Sequence, residues 1–179
     1  MRKFVIGVMG GTKKCAASEN AFKVGEAIAE NNCILVTGAC PGLPGEAASG
    51  AKSKNGFVIG ISPAHDLKEH KERYELNEEN LDIIIFTGFG FKGRNVINIR
   101  ASDAIITIEG ALGTLNEFTI AFDEGKLIGV LEGSGRVSDL LKELLERLGK
   151  ETNGQVFFER NPKLLVEKIV QELKNRNSR

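Results

Sequence analysis

The chain has no tryptophan, one tyrosine and four prolines, and its 24 basic and 24 acidic side chains cancel. With no net positive field, nothing draws the molecule as a whole onto nucleic acid or an anionic membrane. The scarcity of aromatic rings also leaves few stacking platforms for single strands, although Phe89 and Phe91 stand beside Lys92 and Arg94. Three cysteines, Cys15, Cys33 and Cys40, leave one thiol over in any disulfide scheme and show no C-x-x-C spacing. They read as buried or incidental thiols in a reducing, cytoplasmic setting, without structural zinc. No apolar run approaches the length of a membrane span. The opening MRKFVIGVMGG places basic residues before an apolar stretch. At about six residues that stretch is too short for a secretory leader and reads as a first strand. His65 and His70 lie off the i,i+4 spacing of a helical metal pair, so no metal site is expected and both are expected to face solvent.

What is present is a regular alternation. Apolar runs of strand length occur at 4–9, 33–37, 57–62, 82–87, 104–108, 127–131 and 155–158, continuous as in strands buried on both faces. Helical periodicity fills the intervals. Ala21, Val24, Ala27 and Ile28 form one face. Leu140, Leu141, Leu144, Leu145 and Leu148 form another behind a cap at Ser138 or Asp139. A last helix starting near Pro162 buries Leu165, Ile169, Val170 and Leu173. The expected fold is α/β, a doubly wound parallel sheet of about seven strands with helices on both faces, in one domain over residues 1–179. The charge-rich stretch 64–80 reads as a solvated surface helix or flap.

Glycine placement points to a ligand. Of the 21 glycines, those at 10, 11, 38, 42, 45, 88, 90, 93, 110, 113, 133 and 135 follow the carboxyl ends of strands. In an open parallel sheet these loops share one edge, where ligands bind. Neither a dinucleotide fingerprint nor a P-loop is present, so the phosphate loop is of another kind. EGALGTLNE (109–117) is the leading candidate, a glycine loop between a strand and a helix.

The loops TGACPGLPGEAASGA, FKGRNVINIRASDA and EGALGTLNE together resemble a Rossmann-type family. It includes the cytokinin-activating phosphoribohydrolases, often labelled "possible lysine decarboxylase", and the molybdenum-cofactor carrier proteins. In that family a GGG-x-x-GLMG-like loop, an arginine opening a helix, and a PGG-x-GT-x-x-E loop line one crevice. The resemblance places Arg94 and Glu117 as catalytic residues. The cradle it implies comprises Gly10, Gly11 and Thr12, then Gly38, Gly42, Leu43 and Gly45, then Gly110, Ala111, Gly113 and Thr114. The string GRNVINIRASDA, from Gly93 to Ala104, resembles the carrier-like branch more than the hydrolases' Met-His-x-Arg-Lys. The implied function is therefore binding of a phosphorylated small molecule, a nucleotide monophosphate or a molybdopterin-type ligand, with no cofactor required. N-glycosidic hydrolysis of a nucleoside 5′-monophosphate is the alternative, and single-strand binding a weaker one. A homodimer or homotetramer is implied as well. Decarboxylation is not expected, because no lysine is marked for pyridoxal phosphate.

Five residues carry competing expectations. Thr114-x-x-Glu117 could be a capping box instead of a site. Arg100 and Asp103 read as an ion pair or cap. Glu109, where the family has proline, would repel a phosphate unless it turned away, took ribose hydroxyls, or met a cation such as Lys13, Lys14, Lys92 or Arg94.

Overall fold

All seven apolar runs are strands in the computed structural model, which describes residues 2–76 and 78–178. They are β1 (Val5–Gly10), β2 (Ile34–Thr37), β3 (Phe57–Ser62), β4 (Ile83–Phe86), β5 (Ala104–Ile108), β6 (Leu127–Leu131) and β7 (Gln155–Glu159). The helices are α1 (Ser18–Glu30), α2 (Leu43–Ser53), α3 (Leu67–Glu72), α4 (Gly90–Ala101), α5 (Leu112–Asp123), α6 (Arg136–Leu148) and α7 (Pro162–Asn177). Every strand pairing is parallel, in the order β4-β3-β2-β1-β5-β6-β7. This is the doubly wound, Rossmann-like sheet, with the order reversing at β1.

Two apolar layers hold it. On one side, Ile6, Val8, Leu35 and Ile106 meet Val24 and Ile28 of α1, Leu43 and Ala47 of α2, and Leu165 and Ile169 of α7. On the other, Ile105 and Ile128 meet Ile99 of α4, Phe118 and Phe122 of α5, and Leu141 of α6. Each of the larger fully buried side chains is worth about 1.5–3 kcal/mol. Helices α1 and α2 approach so closely that glycine is required at the crossing. A Cβ on Gly25 would lie 1.9 Å from the Ala47 carbonyl oxygen, and one on Gly50 would lie 2.0 Å from that of Phe22.

Several expectations need correction. Helix α6 begins at Arg136, and neither Ser138 nor Asp139 is its N-cap. Asp139 instead reaches back to accept from the Gly133 and Gly135 amides, at 2.7 and 3.1 Å. Of the expected leucine stripe only Leu141 is fully buried, Leu144 and Leu145 are partly covered, and Leu140 and Leu148 are exposed. His65 does face solvent, but His70 is 0% exposed, with Nδ1 2.9 Å from Ser62 Oγ and its ring edge-on to Phe86. Asp103 and Arg100 are structural but do not pair with each other. Asp103 binds Arg2 and the Val5 amide, and Arg100 binds Glu124. No helix among the described residues is long and apolar enough to cross a membrane.

Candidate functional site

A cleft of about 440 Å³ opens at the carboxyl edge of the sheet, where the strand order reverses. Loops after β1, β2 and β5 and the start of α4 form its walls, as expected for a ligand crevice at a topological switch point. Its size falls in the usual range for small-molecule pockets, about 300–1,000 Å³.

Arg94 forms the buried side of the cleft. It lies in the second turn of α4 and not at the helix opening, and it is 6% exposed. Its Nη1 stands 3.6 Å from Glu117 Oε1, and its Nη2 donates to Cys40 Sγ at 3.5 Å. Its Nε is buried without a hydrogen-bond partner, and the guanidinium carbon lies 5.9 Å from the Phe91 ring centre. Gly38 makes room for it, since a Cβ there would sit 2.0 Å from Nη1. A fixed guanidinium with an unused donor and only a long ion pair is an unsatisfied cation at the cleft wall.

Glu117 is 7% exposed. Burial raises its pKa above the ordinary carboxylate range, while Arg94, a hydrogen bond from Asn98 and the Lys92 charge pull the other way. Burial also pushes the Cys40 thiol up against the opposing pull of Arg94. Asn95 donates to Asn116 at 2.8 Å and ties α4 to α5. Asn98 is fully buried and donates to Met9 Sδ at 3.2 Å.

The loop into α5 has a different shape from a capping box. The N-cap is Ala111, with no side-chain cap, and Thr114 and Glu117 are both inside the helix. The first-turn amides, which have no acceptor within a helix, are left for something else. Ala111, Gly113 and Thr114 all border the cleft. Gly110, at φ +84°, does not itself border the cleft, and its Cβ position is taken by Thr114. Glu109 turns away from the cleft toward Arg136, whose Nε lies 3.1 Å from its Oε1. The lysines considered above are not its partners: Lys14 pairs with Glu46 at 2.7 Å.

Of the residues singled out in the sequence, Gly10, Gly11, Thr12, Gly38, Arg94, Ala111, Gly113, Thr114 and Glu117 border this one cleft. Gly42 and Gly45 line an adjoining cavity of about 150 Å³ that shares Cys40 with it. Leu43 does not border either space. Its side chain is fully buried in the core, and its amide is bonded to the Gly11 carbonyl at 2.8 Å. Sequence reading passed over Cys40 and Asn95, which border the cleft, as well as Asn98 and Arg136, which do not. The polar spacing Arg94, Asn95, Asn98 on a helix with no clean apolar stripe was the available signal for two of them.

Known proteins resemble this chain in sequence and in fold. A solved molybdenum cofactor binding protein from the phototrophic bacterium Rippkaea orientalis superposes with a TM-score of 0.80 at 34% identity, covering 97% of this chain and 99% of that one. A protein of Archaeoglobus fulgidus, described only as uncharacterized, is 38% identical over 133 residues, 74% of this chain and 82% of its own length. A cytokinin riboside 5′-monophosphate phosphoribohydrolase of Mycobacterium tuberculosis is 32% identical over 121 residues. That match spans 63% of this chain and 62% of the mycobacterial protein, under two thirds of its length. The model of the SLOG cluster4 family matches residues 3–166, and the chain belongs to that family.

Proposed function

We propose that this protein binds a phosphorylated small molecule bearing a planar heterocycle, a nucleotide or a pterin-type cofactor, and acts as a carrier for it. The observation that carries this reading is the buried, under-partnered Arg94 facing the uncapped start of α5 across one cleft. A phosphate there would accept from backbone amides at a helix N-terminus and from a guanidinium. Phe91, half exposed beside Arg94, offers a ring face to the heterocycle. The Rippkaea relative, described as binding the molybdenum cofactor, supports the pterin option. Mass spectrometry of ligand released from purified protein, with calorimetry against AMP, GMP and phosphorylated pterins, tests it. Absence of binding to all of them at millimolar concentration overturns it.

Gly38→Ala should weaken AMP binding about tenfold, the loss of one charge-assisted hydrogen bond. The atoms its Cβ would meet are the terminal atoms of the Arg94 side chain and not backbone, so the guanidinium shifts while the fold is kept and the melting temperature should hardly move. Calorimetry and a thermal melt on the same sample check both halves.

A second reading, phosphoribohydrolase activity, is favoured by one observation: Glu117 stands 3.6 Å from Arg94 inside the cleft. With Arg94 and the α5 amides holding the phosphate, an ionised Glu117 near the anomeric carbon would stabilise oxocarbenium-like charge as the base leaves and water adds. Glu117→Gln should retain AMP binding and release no free adenine. Chromatography decides this, and wild-type protein that liberates no base from any monophosphate removes the reading.

A further inference from the structure

We propose that Arg136 is a positioning residue for the bound phosphate, one that holds the Glu109 carboxylate aside and cancels its charge. The inference rests on the phosphate-binding reading above and concerns how that site tolerates an acid on its own loop. Glu109 lies two residues before Ala111, which borders the cleft. Its Oε2 accepts from the Gly110 amide at 2.6 Å and occupies the space where a Gly11 side chain would be: a Cβ on Gly11 would come within 2.1 Å of it. Gly11 is itself a cleft residue, so the carboxylate lies just behind the wall.

Left bare, that charge would oppose any anion in the cleft. Arg136 meets its other oxygen at 3.1 Å. The pairing is built in by the backbone. Glu109 and Arg136 both have positive φ, 54° and 44°, a region that residues with side chains seldom adopt. The loop after β6 and the first turn of α6 fasten the two together: Ser134 Oγ accepts from the Glu109 amide, the Ser138 amide and hydroxyl donate to the Glu109 carbonyl, and the Val137 amide donates to that of Gly110. Glu109 is nearly buried and Arg136 mostly exposed, so the cation can be removed with little disturbance of packing.

Calorimetry with AMP and with ribose 5-phosphate on wild type, R136A, E109Q and the R136A/E109Q double variant tests this. R136A should weaken both probes about tenfold. E109Q should bind as tightly as wild type or tighter, and the double variant should return to within a few fold of wild type, which a purely structural role for Arg136 would not produce. The inference is overturned if R136A binds like wild type, if the double variant stays as weak as R136A, or if E109Q alone loses binding. Should R136A not fold, R136Q/E109Q carries the same comparison, with near-wild-type affinity supporting the inference and lost affinity overturning it. Wild-type protein that binds neither probe refutes the phosphate reading itself, and this inference with it.

Discussion

Replacing Arg94 by alanine should weaken binding of AMP about a hundredfold and at the same time make stability fall with rising pH. The first effect follows from losing a charge-assisted, two-pronged contact, worth about 1.5–3 kcal/mol where water is largely excluded. The second follows from what is left behind. Glu117 is already held above the ordinary carboxylate range by burial, with Arg94 the largest opposing influence. Without Arg94 its pKa rises further in the folded state. A carboxyl group whose folded pKa exceeds its unfolded value favours the folded state at low pH, and that contribution is lost as pH rises from the unfolded value through the folded one. The unfolded value is about 4.5, so R94A should melt progressively lower than wild type from that pH upward. The double variant R94A/E117Q should lack the extra slope. Thermal melts across this range, beside calorimetry, provide the check. A variant with wild-type affinity, or with the wild-type pH profile, would show that Arg94 is not the cation of the site.

Gly25→Ala should be the most damaging small substitution in the fold. The new methyl group would meet the Ala47 carbonyl oxygen at 1.9 Å and the Ala51 nitrogen at 2.9 Å. These are backbone atoms of α2, so no rotamer change relieves the clash and two helices must separate. Overpacking costs about 1–3 kcal/mol where side chains can yield, and here the upper end applies. The better helix propensity of alanine offsets about 1 kcal/mol at most. For a chain of this size each kcal/mol corresponds to about 2–4 °C, so the net loss of about 2 kcal/mol is expected as a fall of about 4–8 °C. Gly113→Ala is the contrast. Its Cβ would have nothing within 4 Å, and its melting temperature should stay level or rise. Calorimetric melts of the two variants decide the matter, and G25A melting within a degree of wild type would mean that α1 and α2 are not locked together as described.

The strands were legible because a parallel sheet covered on both faces needs only continuous apolar runs, and no phase has to be guessed. Helices α1 and α7 were legible for a related reason, since their core faces are wholly apolar. Helix α6 was misjudged because Asp139 looks like a cap but serves amides in the preceding loop, and because its leucines outnumber the positions that the sheet covers. His70 is buried because Ser62, on β3, offers its ring a partner. Nothing in the charged stretch around it signals that. The site was readable to the extent that it is made of glycines and of the Arg94 and Glu117 pair. Its remaining parts, the Asn95 and Asn98 face and the Arg136 contact, depend on how neighbouring elements meet, which local spacing does not encode.

The strand order carries a last consequence. Strands β1 to β4 build outward from the centre, and the chain then returns across the sheet to place β5 on the other side of β1. Helix α4 is that return, and it carries Arg94. From this seam the guanidinium touches Cys40 from the first half and Glu117 from the second. Neither half owns a complete site. A fragment ending at β4 would hold the early glycine walls without the cation, and a fragment beginning at β5 would hold the acid and the helix start without either. A ligand bound in the cleft would therefore act as a rivet, and its binding should be felt as cohesion between the two halves of the chain.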